Sequence, residues 1–157
     1  MASIRKLWYV GMGELGTSRL SYPLHRAIYR LSGGRLLGRT MGCQVVLLTV
    51  RGRKSGESRT VPIFGFVEGR AVVVVASNAG KERHPSWYLN LKASPEAEVQ
   101  IGRDLRKVRA REATSEERSR FWPRLAAHYG GYEVYRERTA REIPVVVLEP
   151  ASLGRSS

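Results

Sequence analysis

The sequence is poor in cysteine and histidine, the residues that most often build disulfides and metal sites. Cys43 is the single cysteine among 157 residues, which excludes an intrachain disulfide and cysteine-based zinc sites. The three histidines, His25, His84 and His128, are scattered without metal-ligand spacing. We therefore expect no metal site, and we expect Cys43, which directly precedes an apolar run, to be a small buried core residue.

The sequence also lacks long hydrophobic runs. No stretch approaches the roughly 18 consecutive apolar residues that span a bilayer. The first residues include Arg5 and Lys6 but no apolar segment ending in a small-residue cleavage site, so we expect no signal peptide and a cytoplasmic protein. A chain of 157 residues that is 42% hydrophobic suits one domain with a single sizeable core.

Acidic residues are few. Fourteen aspartates and glutamates stand against 27 lysines and arginines, which gives a formal net charge of +13. Such a chain attracts polyanions, and the candidates are nucleic acid, an anionic membrane surface, or a small ligand with phosphate and carboxylate groups. Arginine predominates, and its guanidinium suits bidentate capture of phosphate and carboxylate. Charge alone does not choose among these partners.

Hydrophobic periodicity predicts an α+β fold, a mostly antiparallel β-barrel with helices packed outside. Leu24, Ala27, Ile28 and Leu31 share one face of a helix over residues 22–31. Strands are predicted over residues 44–50, 59–66, 71–77, 97–101, 105–112 and 145–148. A second helix is predicted over residues 85–92. A third begins at a Thr114/Glu117 capping box and extends to residue 129, with a kink or break at Pro123. A short helix follows and ends at about residue 141. Strands that follow one another directly favour antiparallel pairing over a doubly wound parallel sheet.

The first chemical motif is a basic loop between two predicted strands. Gly52 and Gly56 allow close backbone approach to a ligand, and Ser55 adds a hydroxyl. The neighbouring cationic and hydroxyl side chains are Arg53, Lys54, Arg59 and Thr60. Amides, hydroxyls and cations together suit a phosphate cradle, although a solvated basic turn has the same composition.

Two further motifs combine small or aromatic residues. Ser77, Asn78, Ala79 and Gly80 lead from a strand toward a helix that carries Trp87, Tyr88 and Asn90, where free amides and rings could meet a planar anion. Tyr129, Tyr132 and Tyr135 are spaced by three and could line a pocket for a planar substrate. Core packing accounts for either motif equally well. No Ser-His-Asp, Cys-His or GxGxxG signature occurs, so an enzyme built on this chain would rely on a borrowed cofactor.

Taken together and in this order, these segments resemble the deazaflavin-dependent nitroreductase family of actinobacteria. The strings that carry the resemblance are LLTVRGRKSGESRTVP, VVVASNAGKERHPSWYLNLKASPEAEVQIG, RAREATSEERSRFWPRL and YGGYEVYRERTAREIPVVVLEP, between about residues 45 and 150. The resemblance implies a split β-barrel over residues 40–150, flanked by a basic arm and helix (1–39) and a polar tail (151–157). It also implies an F420H2-dependent reductase of the nitroreductase or quinone reductase type, which transfers a hydride from the reduced deazaflavin coenzyme F420 to a quinone, a nitro compound or an activated alkene.

Residue roles follow from the same resemblance. Arg53, Lys54, Ser55, Arg59 and Thr60 would hold the phosphate and oligoglutamate tail of the coenzyme. Ser77, Asn78, Ala79 and Gly80 would contact the ring edge, while Trp87, Tyr88 and Asn90 would shape the site. Tyr129, Tyr132 and Tyr135 would be the catalytic set beside the ring, with Tyr132 or Tyr135 donating to the developing negative charge.

Several alternatives stay open at this point. Phe64 and Asn78 stand where the family often has tyrosine and lysine, with Lys81 and Arg83 available as substitute cations. A split barrel that binds FMN or haem is the nearer alternative function, and a basic nucleic-acid-binding module is a remote one; we expect no nucleic acid. Residues 1–39 either contact a membrane peripherally, at the inner face of the cell membrane, or roof the pocket. The oligomeric state is not predicted.

Overall fold

Seven strands and four helices form the part of the chain that the computed structural model describes, residues 22–40 and 42–151. In chain order they are α1 (Tyr22–Leu31), β1 (Arg39–Thr40), β2 (Cys43–Arg51), β3 (Ser58–Glu68), β4 (Ala71–Val75), α2 (Ser86–Ala93), β5 (Glu96–Ile101), β6 (Asp104–Glu112), α3 (Ser115–His128), α4 (Gly131–Arg138) and β7 (Val145–Pro150). A short 3-10 helix, Asn78–Gly80, follows β4. The predicted arm residues 1–21 and tail residues 152–157 lie outside the described residues.

The strands form a closed antiparallel barrel, which confirms the predicted fold class. The order is β1-β2-β3-β4-β7-β6-β5, and a further pairing of β2 with β5 closes the barrel. Leu48 of β2 is opposite Val61 of β3 on one side and Val99 of β5 on the other. The two-residue strand β1, which the sequence did not predict, extends the edge of β2 by pairing Thr40 with Cys43.

Strand β2 is buried on both faces, as its largely apolar sequence predicts. Val46, Leu48 and Val50 join the core that also contains Trp87 and Leu91 of α2. The alternate residues of β2, Val45 and Leu47, pack with Tyr29 of α1. A second core joins β4 and β7 to α3 and α4, so the barrel fixes where the tyrosines of α4 lie.

Helix α3 begins at the predicted capping box. The Thr114 hydroxyl accepts from the Glu117 amide at 3.2 Å, and the Thr114 amide donates to the Glu117 carboxylate at 2.9 Å. The sequence predicted either a kink or a break at Pro123. A break is wrong, because α3 continues through Pro123 to His128. The chain leaves the helix at Tyr129 and Gly130 instead, and this separates α3 from α4.

Helix α1 forms where predicted but buries a different face. Leu24 and Leu31 of the predicted apolar stripe are 66% and 89% exposed, whereas Tyr29 is fully buried. The Tyr29 hydroxyl donates to the Val45 carbonyl at 3.1 Å and accepts from the Gly102 amide at 2.8 Å. A hydrogen-bonded tyrosine therefore anchors α1 to the barrel, and both leucines of the stripe face solvent while Ile28 is half-buried.

Candidate active-site cleft

An open cleft of about 1100 Å³ brings most of the predicted site residues together. Its walls come from the loop before β3, β3 itself, the segment after β4, the start of α2 and the tyrosines around α4. The predicted residues that line it are Arg53, Lys54, Ser55, Arg59, Thr60, Ser77, Asn78, Ala79, Trp87, Asn90, Tyr129, Tyr132 and Tyr135. Three motifs that are far apart in sequence thus share one cavity.

The basic loop is a tight turn with its cations outside. The Gly52 amide donates to the Glu57 carbonyl and the Gly56 amide to the Gly52 carbonyl, both at 2.8 Å. A Cβ on Gly52 would lie 2.8 Å from the Ser55 hydroxyl and 3.3 Å from the Glu57 carbonyl oxygen, so a larger residue there would displace the serine side chain. Lys54 is exposed on this turn.

Asn90 connects helix α2 to the basic loop. Its side-chain oxygen accepts from the Arg53 amide at 3.1 Å and from the Arg53 guanidinium at 2.9 Å. Asn90 itself is only 6% exposed. The carboxamide therefore fixes both the backbone and the side chain of Arg53 at the cleft wall.

The segment after β4 has an unusual backbone. Asn78, Ala79 and Gly80 have φ angles of 47°, 55° and 72°, all in the left-handed region. A Cβ on Gly80 would lie 2.7 Å from the Tyr135 carbonyl oxygen. Gly80 therefore does not line the cleft but lets this segment pack closely against α4.

The three tyrosines form one buried aromatic group at the cleft. The hydroxyls of Tyr129 and Tyr135 share a hydrogen bond of 2.9 Å, and the rings of Tyr129 and Tyr132 are 5.2 Å apart. Phe64 of β3 packs on Tyr129 with a ring separation of 5.1 Å. Burial raises the pKa of Tyr132, so this phenol stays protonated and able to donate at neutral pH.

Tyr88 does not line the cleft, in contrast to its helix neighbour Trp87. Successive residues of a helix point to different sides, so the two rings cannot flank one ligand. The Tyr88 hydroxyl donates to the Glu112 carboxylate, and burial together with this bond raises the pKa of Tyr88. Tyr88 thus joins α2 to the end of β6.

Several cleft residues had no predicted role, among them His25, Arg26 and His84, and Arg83 was named only as a substitute cation. His25 and Arg26 come from α1, so this helix contributes to the wall of the cleft, and Arg83 and His84 come from the segment before α2. Of the two cations that could stand in for a lysine at position 78, Arg83 lines the cleft and Lys81 does not. In a chain rich in cations, a single histidine or arginine does not indicate a binding site by itself. The tertiary structure alone brings these residues to the cleft.

The cleft combines a cationic and an aromatic region along strand β3. Arg59 near the start of β3 and Phe64 further along are separated by about 17 Å at roughly 3.4 Å per residue. An elongated ligand with a flat ring and an anionic arm fits this cleft. The cations and a hydroxyl can bind the anionic arm, and the tyrosines can pack against the ring. Among residues 22–40 and 42–151, no group of histidine, cysteine, aspartate or glutamate is arranged to hold a metal ion, and no helix is long and apolar enough to cross a membrane.

Comparisons with known proteins identify the family to which this chain is similar. The family model described as F420H(2)-dependent quinone reductase matches residues 21–150. A putative F420H(2)-dependent quinone reductase of Mycobacterium tuberculosis is 42% identical over 105 residues, covering 67% of this chain and 88% of that protein.

Two solved structures are also similar to this chain. One, of an F420-H2 dependent reductase, has a TM-score of 0.62 and 40% identity, and the match covers 67% of this chain and 93% of the other. The second, described as a domain-swapped dimer, has a TM-score of 0.65 and 35% identity, with 84% and 100% of the two chains covered. The chain belongs to the F420H2-dependent quinone reductase family.

Proposed function

We propose that this chain binds reduced F420 in the cleft and reduces a planar quinone there. The observation that carries the proposal is the cleft itself, which joins an exposed cationic turn to a buried tyrosine group. When bound, reduced F420 supplies a hydride. The protein supplies orientation and electrostatics.

The coenzyme's anionic arm would be held at the basic turn. Lys54 and Arg59 offer cations, and Ser55 offers a hydroxyl. Arg53 is held in the turn by Asn90, and Thr60 adds a second hydroxyl on β3. Arg59 also pairs with Glu57 at 2.9 Å, so its guanidinium is partly neutralised before any ligand arrives. We therefore assign the largest single contribution in this turn to Lys54, whose charge is exposed.

The ring of the coenzyme would lie against the segment after β4. Ser77, Asn78 and Ala79 would contact its edge through backbone groups and the serine hydroxyl, and Trp87 would shape the cavity beside it. Gly80 would act indirectly, by permitting the close packing of this segment on Tyr135. Tyr88 would support the site from the opposite side of α2.

The acceptor would stack against the tyrosine group. A quinone gains negative charge on oxygen as it is reduced, and a protonated phenol that donates to this oxygen stabilises the charge. Tyr132 or Tyr135 would donate, while the hydrogen bond between Tyr129 and Tyr135 holds both rings in place. The same surroundings, with Phe64 rather than a tyrosine, favour quinones or bulky enones over small polar nitro compounds.

A second part of the proposal concerns access to lipid-soluble quinones. Leu24, Leu31 and Leu36 are more than half exposed, and Arg30 and Arg35 lie exposed among them. We propose that this apolar and basic surface lies on an anionic membrane, with the cleft-facing side of α1 above the site.

The test of the reaction is an anaerobic assay of reduced F420 with a menadione-like quinone. We expect turnover by the wild-type protein, because the family is described by F420H2 and quinone and the cleft offers cations and tyrosines to such ligands. Tyr132→Phe should lower kcat more than it raises KM, since the hydroxyl acts mainly on the developing charge. Absence of turnover, combined with reduction of the quinone by a protein loaded with FMN, would contradict the proposal.

A further inference from the structure

Arg141, in the chain between α4 and β7, does not line the cleft but contacts the segment that follows β4. Its guanidinium donates to the Ser77 carbonyl at 2.7 Å and to the Lys81 carbonyl at 2.9 Å. A third, longer contact of 3.4 Å reaches the Ala76 carbonyl. Arg138 adds a bond of 3.2 Å to the Ala79 carbonyl. Two arginines therefore bind four carbonyls of one short segment.

These bonds hold a backbone that is otherwise unfavourable. Ala79 has a φ of 55°, and a left-handed conformation costs an alanine free energy that asparagine and glycine largely avoid. Guanidinium groups bound to the carbonyls on either side of Ala79 compensate for that cost. The segment is thereby fixed in one conformation before a ligand binds.

The orientation of the carbonyls also determines where the amides point. All described peptide bonds are trans, so the N–H that follows a carbonyl points in the opposite direction. The carbonyls of Ala76 and Ser77 face Arg141, and the amides of Ser77 and Asn78 therefore point away from it. Both of these residues line the cleft.

Arg141 also sets the state of His84. Its guanidinium lies 3.2 Å from Nδ1 of the imidazole. Because arginine only donates, Nδ1 must accept, and the neutral ring then carries its proton on Nε2. Burial lowers the pKa of His84, and the cations Arg141 and Lys92 lower it further, against an opposing effect of Glu112. The ring of Tyr88 packs at 4.8 Å from the imidazole.

We propose that Arg141 is a positioning residue of the reductase: it holds residues 76–81 and His84 so that the amides of Ser77 and Asn78 and the Nε2–H of His84 form a donor row for the coenzyme ring edge. This inference rests on the proposed function, since it concerns the same cleft. It assigns a role to a residue that does not itself line the cavity. The acceptors it would serve are the carbonyl and deprotonated nitrogen groups of a deazaflavin ring.

The variant that tests the inference is Arg141→Lys, because lysine keeps the charge but cannot bridge two carbonyls and an imidazole. The control is Arg106→Lys, which changes an arginine paired with Asp104 on the β5–β6 hairpin. Two measurements are made without coenzyme: nitrogen NMR of the His84 ring, and hydrogen exchange of the Gly80 and Lys81 amides, which donate to the Ser77 and Asn78 carbonyls. A third is the dissociation constant for F420, by fluorescence titration.

In the wild-type protein we expect a single Nε2–H tautomer of His84 and slow exchange of the Gly80 and Lys81 amides. Arg141→Lys should mix the tautomers, speed exchange and weaken F420 binding about tenfold, the loss expected for disturbed charge-assisted hydrogen bonds, with a melting temperature close to that of the control. Unchanged F420 affinity in Arg141→Lys would overturn the inference, whatever the exchange rates do. Failure of the wild-type protein to bind F420 would instead overturn the proposed function, and the two coenzyme-free measurements would still report whether Arg141 holds the segment.

Discussion

Phe64 places a ring without a hydroxyl beside Tyr129, in the aromatic part of the cleft. At the scale of single residues, this choice bears directly on which acceptors the site favours. A nitro group has two oxygens that need donors when it is buried, and an unpaired buried acceptor costs about 1–3 kcal/mol. A quinone exposes less polar surface per ring and depends less on a donor at this position.

We therefore expect Phe64→Tyr to raise kcat/KM for a bicyclic nitroimidazole more than for a menadione-like quinone. The matched control is Phe66→Tyr, because Phe66 lies on the same strand but packs on Phe121 outside the cleft. Steady-state rates with both acceptors are the measurement. An equal change in both rates, or a wild-type preference for the nitro compound, would contradict this account of selectivity.

Asn90 supports a second residue-scale prediction. Replacing it by alanine removes both hydrogen bonds to Arg53 and leaves the basic turn less well fixed. We expect Asn90→Ala to weaken F420 binding about ten- to a hundredfold, the equivalent of roughly 1.5–3 kcal/mol for bonds to a charged group. Wild-type affinity in a folded Asn90→Ala protein would show that Arg53 does not depend on this contact.

At the scale of elements, local signals gave the best predictions. The capping box of α3 involves residues three apart, and the apolar run of β2 determines its own burial, so both could be predicted from sequence. The burial of α1 could not, because Tyr29 is held by groups from β2 and from the β5–β6 turn. Trp87 and Tyr88 likewise could not be told apart in the sequence as cleft residues. Only the folded helix shows that Trp87 faces the cleft and Tyr88 does not.

The start of α3 also gives a prediction for acid stability. A bidentate ion pair with Arg111, at 2.7 and 2.8 Å, and the bond from the Thr114 amide lower the pKa of Glu117 from 4.5 to about 2. The unfolded chain therefore binds a proton at a higher pH than the folded one. The stabilisation from Glu117 is complete above pH 4.5 and is lost as the pH falls toward 2.

We expect Glu117→Gln to lower the free energy of unfolding at pH 7 and to flatten its decline between pH 4.5 and 2. Urea unfolding at several pH values measures both effects. The matched control is Glu116→Gln, since the neighbouring Glu116 is an exposed residue in the same helical turn. Parallel pH profiles of wild type and Glu117→Gln would contradict the assignment.

At the scale of the whole molecule, closure of the barrel by β2 and β5 brings the basic turn, the segment after β4 and the tyrosines to one cavity. The strings of residues that resemble the family indicated these three parts and their roles. They gave no indication of Arg141, which lies 57 positions from His84 and meets it only in the folded chain. Long-range polar contacts of this kind leave no periodic pattern in a sequence.

The exposed surface on α1 gives a prediction for the intact protein. We expect it to float with anionic liposomes at low salt and to be released as salt screens the arginines. Leu31→Ser should reduce this binding, whereas Leu105→Ser, which changes another exposed leucine, on β6, should not. If the wild-type protein stays in the soluble fraction at low salt, the proposed membrane contact is wrong.

The central claim is that the cleft binds F420 through its cationic turn, and a fluorescence titration with F420, FMN and haem tests it most directly. We predict binding of F420 in preference to FMN and haem, and a loss of about ten- to a hundredfold for Lys54→Ala, the equivalent of roughly 1.5–3 kcal/mol. Lys107→Ala, a change of an exposed lysine on β6, serves as the control and should bind F420 like the wild type. Tight binding of FMN without binding of F420, or unchanged affinity across Arg53→Ala, Lys54→Ala and Arg59→Ala, would contradict the account.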